Sequence, residues 1–105
     1  MPVQDISTID RISAAMSISS LRNQVIASNI ANRDTPGYQR LALAFSHALD
    51  GPGVATVVPE APETSAGASM EQDIVDLSVN AKRYQALARV LTRWFAIANT
   101  ITSSK

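Results

Sequence analysis

The last third of the chain carries an apolar residue at every third or fourth position, and this pattern constrains the fold more than any other feature of the sequence. The repeat runs from Ile74 to Ala98, which is about three and a half heptads of a coiled-coil pattern. Residues at this spacing lie on one side of an α-helix, so the segment is predicted to be a long helix with an apolar stripe. The residues of this stripe are Ile74, Leu77, Ala81, Tyr84, Ala88, Leu91, Phe95 and Ala98.

A second apolar row joins this stripe toward the C-terminus. Its members are Leu87, Val90, Trp94, Ile97 and Ile101. Contact with one helix needs one stripe, so the widened apolar face predicts that this end packs against several neighbours. Ser69 and Gln72 have the spacing of a capping box, which predicts that the helix begins there.

The N-terminal segment also has a helical apolar pattern, which predicts a helix over about residues 3–31. One set of residues, with Ser19 in the remaining heptad position, is Ile9, Ile12, Met16, Asn23, Ile26 and Ile30. A second set on another side of the helix is Ile6, Ile18, Leu21 and Val25. Two apolar sides predict two neighbours, and the many serines predict a helix that needs packing to persist.

A compositional break separates the two predicted helices. Residues 51–69 hold three of the four glycines and three of the five prolines, as is typical of a linker, with one short strand compatible with VATVV. We therefore divide the chain into an N-terminal helix, turn and short apolar segment (1–50), a flexible linker (51–68) and a C-terminal helix (69–105). The predicted fold is all-α, with the two long helices paired as an antiparallel coiled-coil hairpin.

The charges are segregated along the chain, although they sum to zero. Six acidic residues and no base lie from Asp50 to Asp76, and five bases and no acid lie from Lys82 to Lys105. Complementarity to the dipole of the C-terminal helix would explain this order, and so would head-to-tail attraction between subunits. The zero net charge gives no indication of a nucleic-acid partner.

The sequence offers few residues for catalysis or for binding a metal or cofactor. It has no cysteine, and its one histidine, His47, has no nearby candidate ligand except Asp50. No glycine-rich phosphate loop is present, so we expect neither an enzyme nor a metal or cofactor site. No run reaches the roughly 18 apolar residues of a membrane span. The N-terminus lacks the regions of a cleaved signal peptide, so we expect cytosolic residence or export without one.

The string NIANRDTPGY at residues 29–38 ends the first predicted helix. Asn32 is an acceptable C-terminal cap, and Thr35 leaves the helical region because a proline follows it. Pro36 and Gly37 fit the two central positions of a type II turn. Taken alone, this pattern is also typical of an ordinary helix exit.

Two strings resemble the flagellar axial proteins, whose N-terminal signature reads approximately ANN(I/L)AN-x-(D/N)TPGY. The matching residues are Ala27, Asn29, Ile30, Ala31, Asn32, Asp34, Thr35, Pro36, Gly37 and Tyr38. The second string resembles the C-terminal helix of the flagellar basal-body rod family, in particular its proximal subunit, through Asn80, Arg83, Tyr84, Gln85, Ala86, Leu87, Leu91 and Phe95. The segment between the two strings is shorter than is typical of that family.

This resemblance implies a structural subunit of the bacterial flagellar basal-body rod, in its proximal part. It implies that the terminal helices pack with further copies and with other rod subunits into a tube that transmits torque for motility. The inner-membrane ring and export-gate base would be neighbours. The subunit would reach the periplasm-spanning rod by flagellar type III export without a signal peptide.

The residues expected to carry assembly lie on both helices. They are Ile9, Ile12, Met16, Leu21, Val25, Ile26 and Ile30 in the first helix, and Ile74, Leu77, Ala81, Tyr84, Leu87, Ala88, Leu91, Trp94, Phe95, Ile97 and Ile101 in the last. Two alternatives remain open. One is a cytosolic helical export chaperone or adaptor that binds a partner helix, and the other is a rod subunit of a related secretion system.

Overall fold

The structure, a computed structural model, describes residues 3–46 and 54–103, with side chains over 8–46 and 54–102. The described residues form five elements in chain order: α1 (Val3–Ala31), β1 (Leu41–Ser46), β2 (Val54–Pro59), α2 (Pro62–Ala66) and α3 (Met70–Ser103). The molecule is mostly helical, with a long helix toward each end, as the two apolar patterns predict.

The start of α3 shows the first half of the expected capping box. The Gln72 N–H donates to Ser69 Oγ at 3.2 Å, which satisfies one of the free donors of the first turn. The Gln72 side chain turns away and donates to Asp76 Oδ1 at 2.8 Å. Of the capping box, the half in which Ser69 accepts from the Gln72 N–H is therefore formed, and the Gln72 side chain does not complete it.

The prediction of an all-α fold is wrong, because an antiparallel two-stranded sheet lies between the long helices. β1 and β2 pair in register from Leu41 opposite Pro59 to Ser46 opposite Val54. β2 contains VATVV, the one segment for which a strand was expected, whereas β1 was expected only as a short apolar segment. A strand needs a partner for its backbone N–H and C=O groups, and LALAF in β1 provides it.

The predicted linker at 51–68 also contains regular structure in its described part. β2 fills residues 54–59, and α2 follows with Pro62 in its first turn, where the missing N–H is harmless. The domain boundaries themselves stay a prediction.

Pro59 stands at a register position where its missing N–H costs nothing. The Glu60 N–H donates to the Arg40 carbonyl at 2.8 Å. Because bonded and non-bonded pairs alternate in an antiparallel ladder, Leu41 and Pro59 form a non-bonded pair. Their backbone polar groups therefore point away from the opposite strand, and those of Leu41 need another partner.

The chain buries few apolar residues. Ile12 and Val25 are the buried apolar residues of the described part. The radius of gyration is 17.7 Å, against about 13 Å for a compact domain of this length. The solvent-accessible surface is 7485 Å², whereas a compact monomer of 11.2 kDa exposes about 5,700 Å². Roughly 1,800 Å² is thus exposed in excess of the compact case.

In the described part of the chain, neither long helix has the uninterrupted apolar length that crossing a membrane requires.

Candidate assembly surface

The two long helices contact each other through a buried pair of polar side chains. Ser19 Oγ donates to Asn80 Oδ1 at 3.1 Å, and Asn80 Nδ2 donates to the Ser19 carbonyl at 2.7 Å. The two residues are 3% and 2% exposed. Sliding one helix along the other would leave these buried groups unpaired, at a cost of about 1–3 kcal/mol for each group. The pair therefore fixes the register of α1 against α3.

Burial along α3 follows a stripe that only partly coincides with the predicted one. The buried or half-buried residues of this stripe form two groups with three- and four-residue steps, separated by a seven-residue step past exposed Tyr84: Asp73, Leu77 and Asn80, then Leu87, Leu91, Trp94 and Ala98. The prediction had Ile74 and Ala81 where the structure has Asp73 and Asn80. The pattern of apolar residues could not reveal this shift, because the two covered positions are polar and are satisfied by hydrogen bonds.

Many of the predicted packing residues of α3 remain accessible. Ile74, Tyr84, Phe95, Ile97 and Ile101 are 40–53% exposed, and Ala81 is exposed. Leu77, Leu87, Ala88, Leu91 and Trp94 are half-buried. Burying exposed apolar side chains stabilises by about 25 cal/mol per Å² of apolar surface. This surface is therefore available for contact with other chains.

The predicted packing residues of α1 are less exposed to solvent than those of α3. Ile12 and Val25 are buried, although Val25 was assigned to the second side of the helix. Ile9, Met16, Leu21, Ile26 and Ile30 are half-buried.

Further exposed apolar residues were not predicted. On the hairpin they are Phe45, Val54 and Val57, and on α3 they are Val75 and Val79. The Arg22 guanidinium lies 5.7 Å from the centre of the Phe45 ring, which is a cation–π contact. LALAF offered only a weak signal for the hairpin, since a short run of apolar residues is compatible with a buried strand and also with part of a helix.

The turn after α1 has the predicted geometry. The Tyr38 N–H donates to the Thr35 carbonyl at 3.2 Å, and Gly37 has φ +76°, as position three of a type II turn requires. A Cβ built on Gly37 would meet nothing within 4 Å, so glycine is needed here for its backbone conformation alone. Asn32 ends the helix, with its N–H and its Nδ2 both 3.0 Å from the Ser28 carbonyl.

Asn29 connects the end of α1 to the beginning of β1. Its Nδ2 donates to the Leu41 carbonyl and its Oδ1 accepts from the Leu41 N–H, both at 2.9 Å. The side-chain amide thus satisfies the two Leu41 groups that point away from β2. Tyr38 Oη also donates to Asn29 Oδ1 at 3.0 Å, so Ser28 Oγ, 2.8 Å from Tyr38 Oη, is the donor in that contact.

Arg40 links three parts of the chain by ion pairs. It donates to both carboxylate oxygens of Asp73 on α3 at 2.8 and 2.9 Å, and to Glu60 after β2 at 2.6 Å. The hydrogen bonds to Asp73 raise the pKa of Arg40 above its ordinary value, and burial opposes the shift in part. The sequence analysis missed this cluster because no spacing rule relates residues so far apart in the chain.

The described residues contain no group of three or more His, Cys, Asp or Glu side chains that could hold a metal ion. His47 and the side chain of Ile6 lie outside the described residues.

Comparison with known proteins concerns α1 and the turn that follows it. Residues 13–39 match the family described as flagella basal body rod protein. The resemblance to the flagellar basal-body rod family is confirmed. The matched range holds most of α1 and the complete turn, including Asn29, Gly37 and Tyr38. The description of this family names the flagellum, its basal body and its rod.

A relative supports the same family. Over 36 residues the chain is 50% identical to the flagellar basal body rod protein FlgB of Aeromonas hydrophila. The match covers 34% of this chain and 27% of that protein. It therefore spans little more than a quarter of the length of this relative.

Proposed function

We propose that the chain is a structural subunit of the flagellar basal-body rod, in the proximal part of the rod. The observation that carries the proposal is the exposed apolar surface of α3, combined with the turn at the end of α1. This turn, residues 35–38, lies within the range that matches the rod family, and we call it the rod-family turn. Ile74, Phe95 and Ile101 are each about half exposed, which is costly for a chain that functions alone. A subunit that is completed by neighbouring chains buries such residues on assembly.

In this proposal α1 and α3 pair as an antiparallel coiled-coil hairpin. Asn29 lines a cleft together with Asp73 near the start of α3, whereas Met16 lines another depression with Leu91. Residues near the end of α1 thus lie by the beginning of α3. The Ser19–Asn80 pair lies between these two regions and sets the register.

The outer sides of the hairpin then pack against further copies and other rod subunits to form the wall of a tube, which transmits torque. The inner-membrane ring and the export-gate base are the proposed neighbours at its lower end. The described residues include two buried apolar side chains, which is a small hydrophobic core for a domain that folds alone. Low stability before assembly suits the proposed export as an unfolded chain through the type III apparatus.

Deletion of residues 97–105 tests the proposal in a motile cell. It removes exposed Ile97 and Ile101, and we expect loss of rod assembly and motility at unchanged expression. The double variant Thr100→Ala, Thr102→Ala is the control, because these exposed hydroxyls bond back to Ala96 and Ala98 within α3. Normal motility of the deletion strain would refute the proposal.

Fractionation of the cells distinguishes a rod subunit from a cytosolic chaperone or adaptor. A rod subunit co-purifies with detergent-extracted basal bodies, whereas a chaperone or adaptor stays in the soluble fraction.

A further inference from the structure

The outer edge of β2 is a row of unpaired backbone groups. Leu41 and Pro59 form a non-bonded pair, and bonded and non-bonded pairs alternate along an antiparallel ladder. The next two non-bonded pairs therefore contain Val57 and Ala55 of β2. The N–H and C=O groups of these two residues point away from β1, and no hydrogen bond within the described residues uses them.

The other edge of the β-hairpin lies against α1. Asn29 bonds to both backbone groups of Leu41 at 2.9 Å, and Arg22, about two turns earlier on α1, lies 5.7 Å from the centre of the Phe45 ring. α1 thus follows β1 along its length, and β2 is the outer strand. In the described part of the chain, no side chain gives β2 the partner that Asn29 gives to Leu41.

β2 lacks the features that usually protect an edge strand. Natural edges are protected by charged side chains, proline or bulges. Residues 54–58, VATVV, contain no charge and no proline, and their register with β1 is uninterrupted. Val54 and Val57 are 55% and 43% exposed. This edge can therefore accept a further strand.

The edge of β2 is complementary to itself. In an antiparallel pair of two β2 strands, residues with outward-pointing groups must lie opposite each other. A two-fold axis beside Thr56 places Ala55 of each copy opposite Val57 of the other, so both pairs exchange N–H···O=C bonds. The small side chain of Ala55 then meets the larger one of Val57, and Thr56 meets its own counterpart, a favourable cross-strand pair.

Other two-fold registers pair the edge less completely. An axis beside Val57 would place Ala55 opposite Pro59, which has no N–H to donate. An axis beside Ala55 would place Val57 opposite residue 53, which precedes β2. The axis beside Thr56 is therefore the one that uses every outward N–H of β2 within the strand itself.

We propose that two copies of this chain pair through their β2 strands about a two-fold axis at Thr56. The contact joins two β-hairpins into one antiparallel sheet with the strand order β1–β2–β2–β1. An isolated two-stranded hairpin is marginally stable, whereas sheets of three or more strands that pack on another element are stable. The occupant of the free edge is thus the same edge of a second copy.

This contact is separate from the packing of helices in the proposed rod. It uses neither α1 nor α3, so the exposed apolar surface of α3 stays free in the pair. Both copies contribute the same residues, so the contact is isologous and closes at two chains. Pairing also removes an edge that is otherwise open to uncontrolled strand addition.

Single cysteines in the full chain test the pairing, because the natural sequence contains no cysteine. In the proposed pair, Thr56 and its counterpart form a non-bonded pair, whose Cα atoms are about 4.5 Å apart. A disulfide bridges this distance. Purified Thr56→Cys should therefore form a disulfide-linked dimer under mild oxidation with oxidised glutathione.

Val54→Cys is the matched control on the same face of β2. Both positions are exposed, but in the proposed pair Val54 lies opposite Val58 and roughly 13 Å along the strand from its own counterpart. Thr56→Cys should form the dimer at least about tenfold faster than Val54→Cys at the same concentration, because pairing raises the effective concentration of one thiol around the other. Equal rates for the two variants would overturn the proposal.

Substitutions of Val57 test whether the edge itself makes the contact. Val57→Pro removes an N–H that the ladder with β1 does not use, as Pro59 does at an equivalent register position. Val57→Lys keeps the N–H and places a like charge on each copy. Each change, made in Thr56→Cys, should slow dimer formation to the rate of Val54→Cys. Unchanged dimer formation in Val57→Lys, at unchanged helix content, would overturn the proposal.

Deletion of residues 97–105 separates this proposal from the proposed function. The deletion shortens α3 and leaves β2 intact, so Thr56→Cys in the shortened chain should form the dimer at an undiminished rate. A loss of dimer formation there would mean that helix packing makes the contact, and would overturn pairing through β2. Motility of the deletion strain tests the proposed function alone.

Discussion

The side-chain amide of Asn29 takes the place of a neighbouring strand for Leu41, donating to its carbonyl and accepting from its N–H at 2.9 Å each. This relationship gives the rod-family turn a physical role. Gly37 supplies the positive φ that reverses the chain, and the Tyr38 hydroxyl completes the hydrogen bonding of Asn29. The motif thereby holds β1 against the end of α1.

Replacing Asn29 should loosen this junction. Asn29→Ala leaves the Leu41 N–H and carbonyl unpaired in a part-buried position, and we expect the free energy of unfolding to fall by about 2 kcal/mol. Urea unfolding followed by circular dichroism, at one fixed protein concentration because association is linked to stability, measures the change. Asn23→Ala, at an exposed position of the same helix, is the control. Equal midpoints for the two variants would show that Asn29 does not hold the strand.

Gly37 and Gly67 make a matched pair of glycine substitutions. Gly37→Ala forces a side chain into φ +76° and should cost about 1–2 kcal/mol, although the space around it is open. Gly67 has φ −93°, and an added Cβ would lie 3.9 Å from the Thr64 carbonyl, an ordinary contact. Gly67→Ala should therefore leave the unfolding midpoint unchanged or raise it slightly. A loss of stability in Gly67→Ala as large as that in Gly37→Ala would contradict the type II turn as the reason.

Removal of Arg40 should leave a buried carboxylate without its positively charged partner. Arg40→Met leaves Asp73, 8% exposed, without its counter-charge, and we expect a loss of about 3 kcal/mol. Asp73→Asn in the same chain should recover part of that loss, because it removes the unpaired charge. Arg33→Met, an exposed arginine of the turn, serves as the control. Additive effects of Arg40→Met and Asp73→Asn in a double-mutant cycle would rule out the ion pair as the cause.

The pH dependence of this contact follows from the direction of the pKa shift. The pKa of Arg40 is raised above its ordinary value, mainly by its hydrogen bonds to Asp73. A group with a raised folded-state pKa stabilises fully below its unfolded pKa and loses that effect only as the pH rises through the folded value. The difference in stability between wild type and Arg40→Met should therefore stay constant between about pH 6 and pH 9 as far as Arg40 itself is concerned. A decline in that difference over this range would mean that another titrating group controls the contact.

The Ser19–Asn80 pair predicts opposite results for one and for two substitutions. Asn80→Ala removes the side-chain partner of the buried Ser19 hydroxyl at 3.1 Å and leaves it only the backbone carbonyl of residue 80 at 3.4 Å. It should lower the free energy of unfolding by about 1–2 kcal/mol. Ser19→Ala combined with Asn80→Leu replaces both partners by apolar groups and should restore near wild-type stability. Ser20→Ala, at an exposed position, controls for the loss of a serine. A double variant no more stable than Asn80→Ala would show that the site needs its polar groups for stability rather than for register.

The elements that sequence reasoning predicted are those governed by local rules. Apolar spacing and capping residues located both long helices, with α3 beginning one residue after Ser69. Proline and glycine at fixed positions determined the turn, since Pro36 sets φ and Gly37 accepts a positive φ. These features depend on neighbours a few residues away, so the sequence alone contains the information.

The features that were missed depend on distant residues. LALAF became a strand because VATVV pairs with it, and a lone apolar run of five residues does not distinguish strand from helix. The contact stripe of α3 includes Asp73 and Asn80, whose burial depends on Arg40 and Ser19 in other elements. Apolar periodicity assigns such polar positions to solvent, and so the predicted stripe was displaced toward Ile74 and Ala81.

The central claim is that α1 and α3 expose more apolar surface than one chain can cover, so that other copies complete the fold. Helix content measured by circular dichroism over a wide range of protein concentration, with the assembly state followed by sedimentation, tests it most directly. The account predicts low to moderate helicity in dilute solution that rises together with association. A fully helical, cooperatively melting monomer at every concentration would contradict it.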